Sequence, residues 1–216
     1  MSNVVFMDGV DDYVDCGNNA SLHLTTAFTF DVLVKIRKIK DATYPEFLAK
    51  WVGSQGYSFF IDNTGKVWIT INATSLNTTA IYQVKDDNRW YRVSASWVGG
   101  AGIKFYVNGN LIFTSAIVAG PIIDSATNIH IGDNTAGGNF WQGNMAEVLI
   151  YNRQLTDDEI LYNSSHPSKP KRRGLVLNLN QDSIYGPQWV DLSGNANHGT
   201  YVGGAVPVTA NRLAGR

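Results

Sequence analysis

The fold class is decided by the stretch Ile103-Lys-Phe-Tyr-Val-Asn-Gly-Asn-Leu-Ile-Phe113. Its Asn108-Gly109 pair lies between two apolar runs. Such a pair is the strongest short-range hairpin signal, because a type I′ turn needs a positive φ at both central residues. The stretch therefore predicts two antiparallel strands that are joined by a two-residue turn.

Further strands with a period of two surround this hairpin. Residues 28–36 and 90–98 alternate apolar side chains with others, and in 66–72 the side chain of Trp68 is predicted to face away from Val67 and Ile69. That period places one row of side chains in a core and the other on the outer face of a sheet. Additional strands are predicted at 4–6, 47–51, 57–61, 128–132 and 145–151.

The composition fits a single all-β domain. The chain has 216 residues, and sandwiches commonly run to roughly 200–250 residues as one domain. Hydrophobic residues make up 44% and charged residues 16%, so the chain can bury a substantial core. The net charge of −1 argues against nucleic-acid binding, and the one cysteine, Cys16, excludes an intrachain disulfide.

The sequence carries no targeting signal that we can identify. The start, MSNVVFMDG, has no charged segment followed by an apolar one, so no signal peptide is predicted. No apolar run approaches the roughly 18–20 residues of a membrane span. We therefore expect synthesis in the cytoplasm and no membrane insertion, with a virion or a cell surface as the alternative places of action.

One short helix is predicted after residue 155. Thr156-Asp-Asp-Glu159 has the spacing of a capping box, and Leu155 and Ile160 stand at the two positions of a hydrophobic staple. The helix must end before Pro167, because the residue that precedes a proline disfavours helical backbone.

The last quarter of the chain begins with a basic linker at 164–173, which we expect to be exposed. The apolar run Leu175-Val-Leu-Asn-Leu179 follows it, and residues 200–202 have the pattern of another strand. We predict that 174–216 completes the same sandwich as 1–163, either within one chain or by exchange with a neighbouring subunit.

Four segments resemble motifs of the laminin-G-like jelly-roll domains of the concanavalin A-like lectin/glucanase superfamily. The segments are Phe6-Met-Asp-Gly-Val-Asp-Asp-Tyr-Val14, Phe28-Thr-Phe-Asp-Val-Leu-Val34, Arg89-Trp-Tyr-Arg-Val-Ser-Ala-Ser-Trp97 with the strand before Gly109, and Glu147-Val-Leu-Ile-Tyr-Asn-Arg-Gln-Leu155. The resemblance covers roughly 4–163. It implies an all-β fold, a two-sheet antiparallel β-sandwich (jelly roll) with one short helix.

The order of the segments departs from that of the family. Residues 174–204 resemble a segment that normally precedes the Phe6 strand, and here they come last. This order implies a circularly permuted sandwich. The alternative is the start of a truncated repeat, which would leave an unpaired strand and an exposed edge that invites aggregation.

Carbohydrate binding is the function that the resemblance implies first. Sugars stack on exposed aromatic rings, while amide and carboxylate groups bond their hydroxyls. The candidate rings and polar groups are Tyr44, Trp51, Trp68, Trp141, Trp189, Asp133, Asn134 and Asn139. The competing interpretation is that most of the tryptophans pack in the core.

Calcium is the cofactor that the resemblance implies. Asp8, Asp11 and Asp12 lie around Gly9 and could offer oxygen ligands to a hard cation. In the family a further ligand is an aspartate at the position of Ala146, so we expect weak calcium dependence at most. Alternatively, the aspartates form a polar turn.

We predict that the chain is not an enzyme. Related β-glucanases carry a Glu-x-Asp-x-Glu strand, whereas Glu46, Glu147 and Glu159 are isolated from one another. The leading hypothesis is a lectin-like binding or adhesion module, with glycans or other protein subunits as partners. The alternative is a structural protein of a bacteriophage virion, which would assemble with copies of itself or with virion subunits. A β-glucan hydrolase is the third hypothesis.

Overall fold

Two antiparallel sheets packed face to face form the structure, a computed structural model that describes residues 2–38, 44–72, 74–78 and 84–210. The strands are β1 Ser2–Asp8, β2 Tyr13–Asp15, β3 Ala27–Ile36, β4 Glu46–Val52, β5 Gln55–Ile61, β6 Val67–Ile71, β7 Thr74–Asn77, β8 Tyr91–Val98, β9 Ala101–Val107, β10 Asn110–Val118, β11 His130–Ile131, β12 Gln142–Tyr151, β13 Leu175–Asn180, β14 Ile184–Tyr185, β15 Gln188–Trp189, β16 Gly199–Val202 and β17 Val206–Ala210. Helix α1 spans Asp157–Ser165, and single 3₁₀ turns span Ala20–Leu22 and Gln181–Ser183. The predicted two-sheet antiparallel sandwich with one α-helix is confirmed.

The first sheet has the strand order β10-β9-β8-β3-β12-β1-β17, and β13 also pairs with β12. The second sheet has the order β14-β15-β16-β2-β11-β4-β5-β6-β7. The predicted hairpin is present between β9 and β10, where Asn108 and Gly109 have φ values of 51° and 82°. Aromatic residues fill much of the space between the sheets, with Phe30 packed against Tyr57 and Phe59 at centroid distances of 5.0 and 6.0 Å.

The outer face of the first sheet is also buried around Arg92 of β8. The guanidinium donates to both carboxylate oxygens of Asp31 at 2.8 and 3.0 Å, and to Glu147 Oε2 at 2.6 Å. Asn163 of α1 covers this group and donates to Asp31 at 3.2 Å. Burial raises the pKa of Glu147 although the Arg92 charge opposes that rise. The period of two therefore predicted the inner face of β8 correctly, but not the burial of its outer face.

Helix α1 begins at the predicted capping box. The Glu159 N–H donates to Thr156 Oγ1 at 3.3 Å, and the Thr156 N–H donates to Glu159 Oε2 at 3.0 Å. Leu155 and Ile160 are both buried in a small cluster outside the main core. Among the described residues, no helix is long and apolar enough to cross a membrane.

Most side chains of the segment 164–173 are exposed, as predicted for a linker, but its backbone is hydrogen-bonded to the rest of the structure. The Ser168 N–H donates to Glu147 Oε1 at 3.0 Å, and the Lys171 N–H donates to Asn163 Oδ1 at 3.0 Å. Its backbone N–H groups therefore satisfy the buried side chains of Glu147 and Asn163, and these bonds hold the segment against the first sheet.

The strands predicted at 175–179 and 200–202 are present. β13 pairs with β12 through contacts such as Leu177 with Ile150, and β16 pairs with β2. β17 adds a further strand, which pairs with β1. A permuted order also predicts that 211–216 lies near the N-terminal strand, but those residues fall outside the described part of the chain.

Candidate functional site

A pocket opens on the outer face of the second sheet, above β4, β5, β6 and β7. Tyr57, Phe59 and Ile61 face the core, so the alternate residues of β5 face outward. The strand register then places Phe60 between Glu46 and Trp68 across three strands. The cavity has a volume of about 370 Å³ and is lined by Tyr44, Glu46, Trp51, Ser58, Phe60, Trp68, Thr70, Ser75, Asn134 and Asn139.

Aromatic rings form the apolar part of this pocket. The rings of Phe60 and Trp68 are nearly parallel, at 9° and 6.0 Å between centroids, and Tyr44 meets the Phe60 ring edge-on at 5.8 Å. Trp68 Nε1 donates to Asp62 Oδ2 at 2.9 Å, which fixes the orientation of the indole. Burial opposes ionisation of Asp62, but hydrogen bonds from Thr64 and Trp68 hold the pKa of Asp62 below its ordinary value.

Glu46 is the one acidic side chain in the described lining, and it is only 3% exposed. The Ser58 hydroxyl lies 2.9 and 3.1 Å from its two carboxylate oxygens. Burial raises the pKa of Glu46 well above its ordinary value; the Ser58 hydrogen bond opposes this rise, and the charge of Asp133 adds to it. Sequence reasoning did not select Glu46 for binding, and its place at the start of an apolar strand that ends in Trp51 was the only signal.

The glycine-rich loop between β11 and β12 supplies the polar rim. Asn134 and Asn139 reach the pocket, and the Thr135 hydroxyl donates to the backbone carbonyl of Trp51. The structure corrects the prediction that Asp133 binds the ligand, because this residue is buried beneath the loop and does not line the pocket. Its carboxylate accepts from the Thr135 N–H at 3.2 Å and lies 3.1 Å from His130 Nδ1, so it shapes the loop.

The structure also corrects the prediction of two stacking tryptophans. Trp141 is 0% exposed and packs against Phe47 in the core, with 5.2 Å between the ring centroids. Trp189 is equally buried, and its Nε1 donates to the carbonyl of Asn180 at 2.8 Å. Neither ring is available for stacking. The structure does bring together the other five predicted residues in one pocket, namely Tyr44, Trp51, Trp68, Asn134 and Asn139.

Residues 8–161 match a model of a laminin-G family described as the concanavalin A-like lectin/glucanases superfamily. The chain belongs to this family. The match spans most of the sandwich, from the end of β1 into α1. No curated protein sequence matches the laminin-G-like chain.

Solved structures share the fold of this laminin-G-like chain at low identity. A Bacteroides ovatus protein with a proposed role in carbohydrate binding has a TM-score of 0.73 at 18% identity, over 98% of this chain and 61% of its own. The heptameric SAP-like pentraxin of Limulus polyphemus has a TM-score of 0.68 at 14% identity, over 99% and 97%. The CBM40 of the Ruminococcus gnavus IT-sialidase has 0.61 at 17%, over 76% and 100%. The chain thus spans less than two thirds of the Bacteroides protein.

The aspartate cluster of this laminin-G-like chain lies at the end of β1. One carboxylate oxygen from each of Asp8, Asp11 and Asp12 falls within 4.8 Å of the others. The Asp12 carboxylate accepts from the backbone N–H groups of Asp8 and Gly204, so the cluster also holds its own turn. Carboxylate oxygens are the donors that calcium prefers, so these three residues are the ones that could hold the ion.

The strand register gives the position of Ala146 relative to this cluster. β1 pairs with β12 so that Gln142 lies opposite Asp8. Ala146 lies four residues further along the strand, roughly 13 Å away at about 3.3 Å per residue. Calcium binding at the cluster, and the effect of Ala146 on it, stay predictions.

The three glutamates have different surroundings. Glu46 lies in the pocket, Glu147 pairs with the buried Arg92, and Glu159 caps α1 and receives hydrogen bonds of 2.6 and 2.7 Å from Arg153. Glycoside hydrolysis commonly uses two carboxyl groups that flank one bond. These three glutamates do not form such a pair with one another.

Proposed function

We propose that this chain is a non-catalytic carbohydrate-binding module whose saccharide site is the pocket above β4 to β7. The observation that carries the proposal is the convergence of four aromatic rings with polar side chains in one cavity of about 370 Å³. Small-molecule sites typically have volumes of about 300–1,000 Å³, with apolar walls and a few polar groups that fix orientation. The pocket has this composition.

The chemistry of a sugar matches the two parts of the lining. The C–H face of a saccharide ring can lie against Trp51 or Trp68, whose indoles are partly exposed. Its hydroxyl groups can then bond Asn134, Asn139 and the Glu46 carboxyl group. Proteins of similar fold also carry glycans, such as domain 4 of the Geobacillus stearothermophilus arabinanase AbnA with arabinotriose, which shares 13% identity with this chain.

A glycan array followed by calorimetry tests the proposal. Trp51→Ala and Trp68→Ala should each weaken binding at least about tenfold, which corresponds to about 1.4 kcal/mol. Tyr185→Ala is the matched control, because Tyr185 is an exposed aromatic residue on β14, outside the pocket. Unchanged affinity in both tryptophan variants would place the site elsewhere, and failure to bind any glycan on the array would contradict the proposal.

The other hypotheses are weaker on the structure. The matched structures that are named above are carbohydrate-binding and lectin-like proteins rather than virion proteins, so the comparisons lend no support to a scaffold role in a bacteriophage virion. A hydrolase would need a second catalytic carboxylate beside Glu46, whereas the described lining holds no other acidic side chain and Asp62, behind Trp68, accepts hydrogen bonds from Thr64, Lys66 and Trp68. We therefore advance the binding module alone.

A further inference from the structure

The described lining of the pocket carries an acidic but no basic side chain. Among the lining residues that the structure describes, Glu46 is the only charged side chain, and none is a lysine or an arginine. Lys50 is the cation of β4, but it is fully buried outside this lining. Its ammonium group donates to Asp124 Oδ1 at 2.7 Å and to the carbonyl of Ser125, so its charge is compensated there.

Two further carboxylates stand behind the lining. Asp62 holds the Trp68 indole, and Asp133 lies beneath the loop that carries Asn134. Asp133 is near enough to Glu46 for its negative charge to disfavour ionisation of that residue. Both carboxylates are held by contacts with their own neighbours, so they contribute acidic surroundings to a pocket whose described lining has no basic side chain.

We infer that the pocket selects uncharged saccharides and excludes acidic ones, such as sialylated or uronic glycans. The inference rests on the proposed function and adds the ligand class to it. A carboxylate that enters a partly buried site loses water, and this loss is repaid only when a cation or several donors replace the water. The described lining offers amide and hydroxyl donors but no cation.

The protonation state of Glu46 does not reverse this selectivity. When it is protonated, Glu46 is a neutral hydrogen-bonding group that cannot compensate the charge of a second carboxylate. When it is ionised, it repels that carboxylate directly at short range. A neutral sugar can bond either form, because hydroxyl groups both donate and accept hydrogen bonds. The fold is compatible with the opposite preference, since the Ruminococcus gnavus CBM40 is known with α2,3-sialyllactose.

Matched pairs of saccharides test the inference on the full chain. The probes are lactose with α2,3-sialyllactose, cellotriose with its fully oxidised uronic counterpart, and N-acetylchitotriose with its deacetylated, cationic form. Within each pair that binds, we expect the acidic member to bind at least about tenfold more weakly than the neutral one. The cationic member should not exceed the neutral one by more than a few-fold.

Charge variants at the rim assign the effect to the pocket. Ser75 is exposed, so Ser75→Lys adds a cation with little risk to folding, and Ser75→Gln adds similar bulk without charge. Asn134→Lys and Asn134→Gln form a second such pair. We expect both lysine variants to narrow the difference between acidic and neutral probes at least threefold, and both glutamine variants to keep it.

The outcomes separate the inference from the proposed function. Equal or tighter binding of the acidic probes overturns the inference and leaves a carbohydrate-binding module. A strong preference for the cationic probe also overturns it, because the pocket would then be an ammonium site. Selectivity that neither lysine variant changes contradicts the assignment to this pocket. A protein that binds no saccharide probe at all loses both the inference and the proposed function.

Discussion

Glu46 combines a buried carboxyl group with a hydroxyl partner at the base of an aromatic pocket. Burial raises the pKa of Glu46 above its ordinary value of 4.5, so the folded protein binds this proton more tightly than the unfolded chain does. The resulting stabilisation is fully present below pH 4.5 and is lost as the pH rises through the folded-state pKa. Glu46 therefore connects the proposed saccharide site with the pH dependence of stability.

Glu46→Gln should remove this pH dependence. Glutamine keeps the shape and can still accept from the Ser58 hydroxyl, but it carries no titrating group. Above pH 4.5, we expect the natural chain to lose free energy of unfolding relative to the variant by up to about 1.4 kcal/mol per pH unit, until the folded-state pKa is passed. Urea denaturation of both proteins between pH 4 and 9 measures the difference, and parallel curves would show that Glu46 titrates normally.

Calcium binding by Asp8 and Asp12, with Asp11, stays a prediction. The Asp12 carboxylate already accepts two backbone N–H groups, so the turn holds its shape through these bonds without help from an ion. We therefore expect thermal melts in EDTA and in millimolar calcium to differ by less than roughly 4 °C, which corresponds to about 1 kcal/mol for a chain of this size. Asp12→Asn serves as the control, and a larger shift that this variant abolishes would reveal a structural calcium site.

For single elements, the sequence predicted the strands well, but it did not predict which sheet faces other parts of the chain cover. Alternation in 90–98 identified β8, because inward residues such as Val93 and Trp97 are apolar. It could not show that Arg92 is buried as well, because that burial depends on α1 and on segment 164–173, which are distant in sequence. The very short β14 and β15 had no periodic signal, since each has two residues.

Thr156→Ala should weaken the start of α1 and loosen the cover of the first sheet. The substitution removes the hydroxyl that accepts from the Glu159 N–H, and loss of such a cap typically costs about 0.5–2 kcal/mol. Thr156→Ser retains a hydroxyl and should restore most of the stability. Chemical denaturation measures the free energy of unfolding of both variants. An unchanged midpoint for Thr156→Ala would mean that tertiary contacts, such as the packing of Leu155, hold the helix without its cap.

In the whole molecule, the candidate site was likewise predicted only in part, because it depends on residues that are distant in sequence. Five of its residues could be selected from the sequence, because aromatic and amide residues in loops and strands are visible there. The period of two in β6 predicted the outward orientation of Trp68, whereas the burial of Trp141, which precedes β12, depends on the packing of the two sheets and could not be predicted. Glu46 was missed because its role depends on neighbours from β5 and from the loop before β12.

Residues 175–210 contribute strands to both sheets. β1 pairs with residues 142–145 of β12, and β13 pairs with 147–151, so the two strands follow one another along the same side. This arrangement is what a permuted order predicts, because in the family the segment that resembles 174–204 precedes the β1 strand. Circular permutation stays a prediction that these pairings support.

A chain that ends at Asn163 should therefore be insoluble or molten. It would lose β13 to β17, including the buried side chains of Leu177, Leu179 and Trp189. Burial of each such side chain is worth roughly 1.5–3 kcal/mol, and their sum rivals the typical domain stability of about 5–15 kcal/mol. A chain that ends at Gly204 is the matched control: it loses the edge strand β17, which pairs with β1 alone, and should still melt cooperatively at a lower temperature. If the chain that ends at Asn163 instead melts cooperatively at the full-length temperature, the last quarter is a separate element, and the pairing of β13 with β12 contributes nothing to the stability of the sandwich.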